Sequence, residues 1–222
     1  MITTIIFDLD GTLLDTLEDL ADSVNYALAK SRFAPRTMKE VRAFVGNGVG
    51  NLVARSLPDG SDNPLYDQVL ADFKMHYSIH CRDKTGPYPG IMEMLDELNA
   101  LGYHMAIVSN KMDSAVKKLA EEYFGSRIPV AIGECDGVRR KPAPDTVYAA
   151  LRGLDVPAGQ AVYVGDSEVD LQTAAAAGIP CISVEWGFRS KEQLTRAGAS
   201  EDHIIQTPDE LIPLLRILFP EE

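Results

Sequence analysis

Short apolar runs that stop at Gly, Asp or Ser and give way to helical periodicity recur along this chain, and that rhythm restricts its fold more than any other feature. Residues 4–7 (TIIF) stop at Asp8-Leu9-Asp10-Gly11, residues 104–108 at Ser109-Asn110, and residues 161–164 at Gly165-Asp166-Ser167. Residues 128–132 lead into a turn and Lys141-Pro142, and residues 180–184 end near Trp186-Gly187. Helical patterns lie between them near 91–101, 112–123, 144–153 and 168–177, the last holding Leu171, Ala174 and Ala175 with Gly178 as its stop. Doubly apolar strands alternating with helices predict an α/β fold, a parallel sheet covered on both faces.

Residues 16–84 break the rhythm. They carry helical patterns only: Leu17, Leu20, Val24 and Leu28, then 38–45, 49–57 and 64–80. A stretch of that length without a strand is too long for a crossover and reads as an inserted all-helical domain. The expected organisation is a core from residues 1–15 and 85–222 with a helical cap from 16–84. The return flank, Lys84-Thr85-Gly86-Pro87-Tyr88-Pro89-Gly90, has the composition of a hinge.

Charge narrows the partners. Lys plus Arg number 21 and Asp plus Glu 33, a net charge of −12. A dispersed acidic surface repels phosphate backbones, so neither nucleic acid nor an anionic membrane is an expected partner. A phosphate handled by such a chain needs a cation in the site. Cys81, Cys135 and Cys181 are odd in number and widely spaced, unlike a disulfide framework or a CxxC site. Asp8 interrupts the N-terminal apolar run, no basic segment precedes it, and no stretch approaches the roughly 20 apolar residues of a membrane span. The expectation is a reduced, cytoplasmic protein, monomer or homodimer.

In an open parallel sheet, ligands bind beyond the carboxyl ends of the strands. Asp8, Asp10, Ser109, Lys141, Asp166 and Asp170 all fall there. Four carboxylates around one lysine are too anionic to stay ionised together, and a hard divalent cation such as Mg²⁺ relieves this while leaving room for a phosphate oxygen. One aspartate can then act as nucleophile and form an aspartyl-phosphate. Asp10, two residues after Asp8, can protonate the leaving oxygen and later take a proton from water. Gly11 permits the tight turn that aims both acids at one point. Ser109 and backbone amides past the strand ends supply phosphate donors.

These residues are similar to the four motifs of the haloacid dehalogenase superfamily. Asp8-Leu9-Asp10-Gly11-Thr12-Leu13-Leu14-Asp15-Thr16 resembles its first motif and Val108-Ser109-Asn110-Lys111 its second. Lys141-Pro142-Ala143-Pro144-Asp145 resembles the third, and Gly165-Asp166-Ser167-Glu168-Val169-Asp170 the fourth. Val45-Gly46-Asn47-Gly48-Val49 in the cap and Glu185-Trp186-Gly187-Phe188-Arg189 resemble the phosphoglycolate phosphatase branch. The resemblance implies a Rossmann-like core. It also implies Asp8 as nucleophile and Mg²⁺ ligand, Asp10 as acid/base and carbonyl ligand, and Asp166 as the third metal ligand. Thr12 then supports the loop, and Ser109, the Asn110 amide and Lys141 hold the phosphate. Asp170 orients a metal-bound water from behind. The implied reaction is Mg²⁺-dependent hydrolysis of a small phosphorylated metabolite, 2-phosphoglycolate first. Asn47, Gly48 and Arg189 are nominated for its carboxylate, and the cap is expected to close over the chemistry. The alternatives are a phosphomutase of the β-phosphoglucomutase type or a phosphatase or pyrophosphatase of the same branch. A mutase needs its own acid/base pair in the cap, and no His-Lys pair is placed there.

Other motif matches dissolve on inspection. Asp83-Lys84-Thr85-Gly86 repeats a phosphorylation motif of membrane pumps, but no apolar strand precedes it. His76 and His80 have zinc-protease spacing, yet Tyr77 stands where the glutamate base belongs. Leu211, Leu214, Leu215 and Leu218 form a helical stripe suited to core packing.

Overall fold

Alternate residues of the first strand are committed to opposite faces, and this places the whole core. The computed structural model describes residues 1–220. The chain runs through β1 (Thr4–Phe7) and β2 (Leu14–Asp15), then α1 (Leu17–Lys30), α2 (Met38–Phe44), α3 (Gly48–Ser56) and α4 (Tyr66–His80). It returns in β3 (Gly86–Pro87), which pairs with β2. Strand and helix then alternate: α5 (Ile91–Ala100), β4 (His104–Met112), α6 (Asp113–Tyr123), β5 (Val130–Glu134), α7 (Asp145–Leu154), β6 (Ala161–Gly165), α8 (Glu168–Ala177) and β7 (Cys181–Val184). The short elements α9 (Lys191–Arg196) and β8 (Ile204–Ile205) precede α10 (Leu211–Leu218).

The larger sheet has the order β5-β4-β1-β6-β7-β8, with parallel pairing throughout. It is the α/β, Rossmann-like architecture expected of the sequence. Ile5, Phe7, Met105, Ile107, Val162 and Val164 point into one core layer with residues of α5, α6 and α10. Ile6, Ala106, Val108 and Tyr163 point into a second layer with residues of α7 and α8. The pleat thus buries both faces, which explains the continuous apolar runs. Of the leucine stripe near the C-terminus, Leu211 and Leu215 are buried and Leu214 and Leu218 pack against the first layer.

Three details differ from expectation. The third strand begins at Val130 rather than Ile128, and β4 runs on to Met112 through a register shift after Val108. The edge strand β8 has only two residues, too few for any alternation to be read. No helix among the described residues is long and apolar enough to cross a membrane.

The chain divides into two compact units, Met1–Leu14 with Pro87–Glu222, and Asp15–Gly86. The second unit is helical, with Leu20, Val24, Leu28, Val41, Leu52, Val53, Val69, Phe73 and Tyr77 buried. Its two ends are fastened together by Asp19, whose buried carboxylate accepts from the backbone N–H of Lys84 (3.1 Å) and Thr85 (2.9 Å) and from the Thr85 hydroxyl (2.7 Å). Thr37 and Glu40 form a reciprocal capping box that starts α2. Gly46, Asn47 and Gly48 have φ of 129°, 60° and 83°, a left-handed run that opens α3.

Candidate active site

β1 is flanked by β4 and β6, so the carboxyl ends of three strands lie side by side at the point where the strand order reverses. Asp8 follows β1 directly, and its backbone N–H donates to Val164 across 2.9 Å. The Leu9 carbonyl then accepts from the N–H groups of Thr12, Leu13 and Leu14 at 3.0–3.3 Å, closing a tight loop. Gly11 sits in that loop with φ +94°, and a Cβ there would press on the Asp166 carboxylate and the Phe188 ring. Glycine is required twice over, by dihedral and by space.

Lys141 joins the groups. Its Nζ lies 2.6 Å from Asp8 Oδ1, 2.7 Å from Asp170 Oδ1 and 3.0 Å from the Tyr163 hydroxyl. Tyr163 also donates to Asp170 Oδ1 at 3.0 Å. The other oxygen of Asp170 accepts from the Ser167 N–H and hydroxyl at the start of α8, so both of its oxygens are held. Asn110 uses its side chain on the Lys141 backbone: Nδ2 donates to the carbonyl (3.0 Å) and Oδ1 accepts from the N–H (2.8 Å). The loop after α6 and β5 is thereby locked to the end of β4.

A second lysine completes the set. Lys111 Nζ is 2.6 Å from Asp10 Oδ1, and the Ser109 hydroxyl is 3.5 Å from Oδ2 of the same carboxylate. The Ser109 oxygen also accepts from the Lys111 N–H at 3.2 Å. Asp166 receives the Phe188 N–H on Oδ2 at 2.7 Å and lies 3.5 Å from the Thr12 hydroxyl through Oδ1. Carboxylate oxygens of Asp8, Asp166 and Asp170, all buried, lie within 4.8 Å of one another.

Burial governs the protonation of this cluster. It pushes the Asp8 carboxyl up to about 7 against the pull of Lys141, with Asp170 and Asp10 adding to the rise. Burial, then the charges of Asp170 and Asp8, hold Asp166 well above the usual carboxylate range. Burial alone would lower Lys141, but Asp170 and Asp8 more than offset it and keep the ammonium charged. Fully ionised, four carboxylates facing two ammonium groups would carry two net negative charges, the excess that burial relieves by raising Asp8 and Asp166. A divalent cation with oxygen ligands balances that charge, so the donor set fits one.

Of the residues singled out in the sequence, Asp8, Asp10, Thr12, Ser109, Asn110, Lys141, Asp166 and Asp170 come together in this one place. Arg189 lies close by and binds Glu168 through Nε (2.8 Å) and Nη2 (3.1 Å). Asn47 and Gly48 belong to the helical unit, where the Asn47 carbonyl accepts from the Asn51 side chain at 2.8 Å. Sequence reasoning missed Lys111 and Tyr163 as members of the site. Lys111 was visible in the second motif, and a charge count including it would have raised the question of its partner. Tyr163 gave no signal, being one apolar-looking position within a strand.

The family described as haloacid dehalogenase-like hydrolase matches residues 5–184. The chain is 36% identical over 189 residues to a phosphoglycolate phosphatase of Pseudomonas syringae pv. tomato, covering 83% of this chain and 70% of that one. It is 36% identical over 204 residues to a phosphoglycolate phosphatase of Rhodospirillum rubrum, covering 88% and 84%. A crystal structure from Lactobacillus delbrueckii subsp. bulgaricus superposes with a TM-score of 0.91 at 36% identity, covering 99% of both chains. The structure of CbbY from Rhodobacter sphaeroides in complex with phosphate gives a TM-score of 0.75 at 27% identity, covering 95% of this chain and 96% of that one. Sequence match, fold and clustered motifs agree: the chain belongs to the haloacid dehalogenase-like hydrolase family, on its phosphoglycolate phosphatase-like branch.

Proposed function

We propose that this protein hydrolyses small phosphate monoesters through an aspartyl-phosphate on Asp8, with 2-phosphoglycolate as its substrate and Mg²⁺ as its cofactor. The observation that carries the reading is the pairing of Asp8 with Lys141 at 2.6 Å, beside Asp10 on the same glycine turn. A carboxylate oxygen of Asp8 attacks phosphorus, the ester P–O bond breaks, and the electron pair leaves on the alcohol oxygen. Asp10 delivers a proton to that oxygen. In the second half, Asp10 takes a proton from water as its oxygen attacks the phosphorus. The acyl-phosphate bond breaks, inorganic phosphate leaves, and Asp8 is regenerated. Lys141 and Ser109 neutralise and orient the phosphoryl oxygens, which is most of what phosphoryl transfer asks of a protein.

Asp8, Asp166 and the Asp10 carbonyl would hold Mg²⁺, with Asp170 behind them. When bound, the cation supplies the positive charge that admits a phosphate dianion among carboxylates. The names of the relatives support a substrate that carries a carboxylate, for which the Asn47-Gly48 backbone is the proposed donor. Arg189 is the weaker nominee, since it would have to release Glu168 first.

Free phosphate measured across a panel of esters tests the reading. A site that bonds a substrate group rejects analogues lacking it, so kcat/KM for ethyl phosphate should fall far below that for 2-phosphoglycolate. Equal values, or a preference for hexose phosphates, would overturn the substrate assignment. Isomerisation without phosphate release would mark a mutase.

A further inference from the structure

The segment after β7 takes no part in the steps above, yet it is tied to both carboxylate-bearing loops. The Trp186 indole N–H donates to the Thr12 carbonyl, in the turn after Asp8 and Asp10, across 2.9 Å. The Phe188 N–H donates to Asp166 Oδ2 at 2.7 Å. Arg189 holds both oxygens of Glu168 in the first turn of α8, two residues past Asp166. At the other end the Glu185 N–H donates to Ile205 in β8 at 2.9 Å. Gly187 fills the gap between these ties: a Cβ added there would collide with the Gly11 carbonyl and the Asp166 side chain.

A carboxylate that ligates a cation through one oxygen is aimed by whatever grips the other. On Asp166 the short bond from Phe188 grips Oδ2, while among the described residues Oδ1 has the longer 3.5 Å contact with Thr12. Trp186 meanwhile fixes a carbonyl of the turn that carries Asp8 and Asp10. One five-residue segment therefore sets two of the strand-end loops against each other.

We propose that residues 185–189 are a brace that holds Asp166 and the Asp8–Asp10 turn in the geometry a divalent cation needs, with Trp186 as a positioning residue. The inference rests on the Mg²⁺ reading above, and its test separates the two. Trp186→Phe removes the N–H donor and keeps an aromatic ring. It should raise the Mg²⁺ concentration for half-maximal activity by about 10-fold, the lower range for loss of a group orienting a metal ligand. At saturating Mg²⁺ its KM for the best ester of the panel should stay within about twofold of the parent, because the brace touches no phosphate-binding group. Gly187→Ala should abolish the rise in melting temperature that Mg²⁺ gives the parent. Trp186 is the only tryptophan of the chain, so its emission should change on Mg²⁺ titration with the same midpoint as the melting shift.

An unchanged Mg²⁺ requirement in Trp186→Phe overturns the brace, as does flat emission while the melting temperature climbs. A KM change as large as the Mg²⁺ effect overturns it too, assigning the segment to the ester instead. If the unsubstituted protein shows no Mg²⁺ response in melting, emission or activity, the cation reading falls and the brace falls with it. Melting of Trp186→Phe without metal, expected within a few degrees of the parent, separates positioning from misfolding.

Discussion

Lysine 141 is held on three sides by oxygen, and that local geometry divides the labour between the aspartates. Asp170 spends both oxygens on Lys141, Tyr163 and Ser167. Asp8 accepts Lys141 on Oδ1 and keeps its second oxygen outside that pair. Asp8→Asn is therefore expected to abolish phosphate release, and Asp10→Asn to cost roughly 10²–10⁴-fold, the range for a general acid–base. Steady-state turnover of the purified variants checks both, and near-normal turnover by Asp8→Asn would remove it as nucleophile. The residue types of the site were legible at the strand ends because few reactive side chains fall there by chance in parallel strands. Their pairings were not. Nothing local says that Lys111 reaches Asp10, or that Asn110 clasps the Lys141 backbone, since both contacts span loops that only the sheet brings together.

Helices of the second unit were legible as elements because their apolar positions recur at helical spacing over ten or more residues, as in α1 and α4. What joins them was hidden in polar residues. Asp19 lies in the first turn of α1, and its side chain reaches residues 84 and 85 at the far end of the unit. Asp19→Ala leaves two backbone N–H groups and a hydroxyl without their acceptor. It should cost about 3 kcal/mol or more, since each such loss is worth roughly 1–3 kcal/mol. An unfolding free energy in urea lowered by less than about 1 kcal/mol would show that water or a neighbour replaces it. On α4, the imidazoles of His76 and His80 stack at 4.3 Å, and His76 also stacks on Tyr26 at 4.2 Å and meets the Ser23 hydroxyl at 3.0 Å. Partial burial, then the neighbouring His80, hold His76 below the usual histidine range, against Asp22 and Asp83. The folded unit then binds fewer protons than the unfolded chain just below pH 6.5. His76 thus contributes fully above that pH, and its contribution is lost as pH falls through it. Between pH 7.5 and 5.5 the parent should lose more stability than His76→Gln, and equal losses in urea would count against this account.

The whole molecule carries more acid than base, and its active site repeats that excess at small scale. A cation that binds only the folded protein stabilises it by about 2.7 kcal/mol at a hundred times its Kd, roughly 5–10 °C for a chain of this size. Mg²⁺ should raise the melting temperature accordingly and EDTA should silence phosphate release. Ca²⁺ should inhibit, since it takes more ligands at longer distances and would draw Asp8 out of line. Full activity after exhaustive chelation would end the metal argument. The parallel sheet covered on both faces followed from the strand rhythm, whereas the strand order, the two-residue β8 and the extended β4 are set by neighbours and leave no local trace. Tyr163 stands between the core and the carboxylate cluster. Its ring belongs to the second core layer with Val108, Val147, Ala150 and Ala174, while its hydroxyl touches Lys141 and Asp170. Interior and chemistry therefore share one side chain. Two methyl carbons removed from that layer, as in Val147→Ala, give the phenol room to rock, and lysine aim degrades before the fold does. Variants selected for heat resistance by repacking this layer are the ones in which speed and durability will trade against each other.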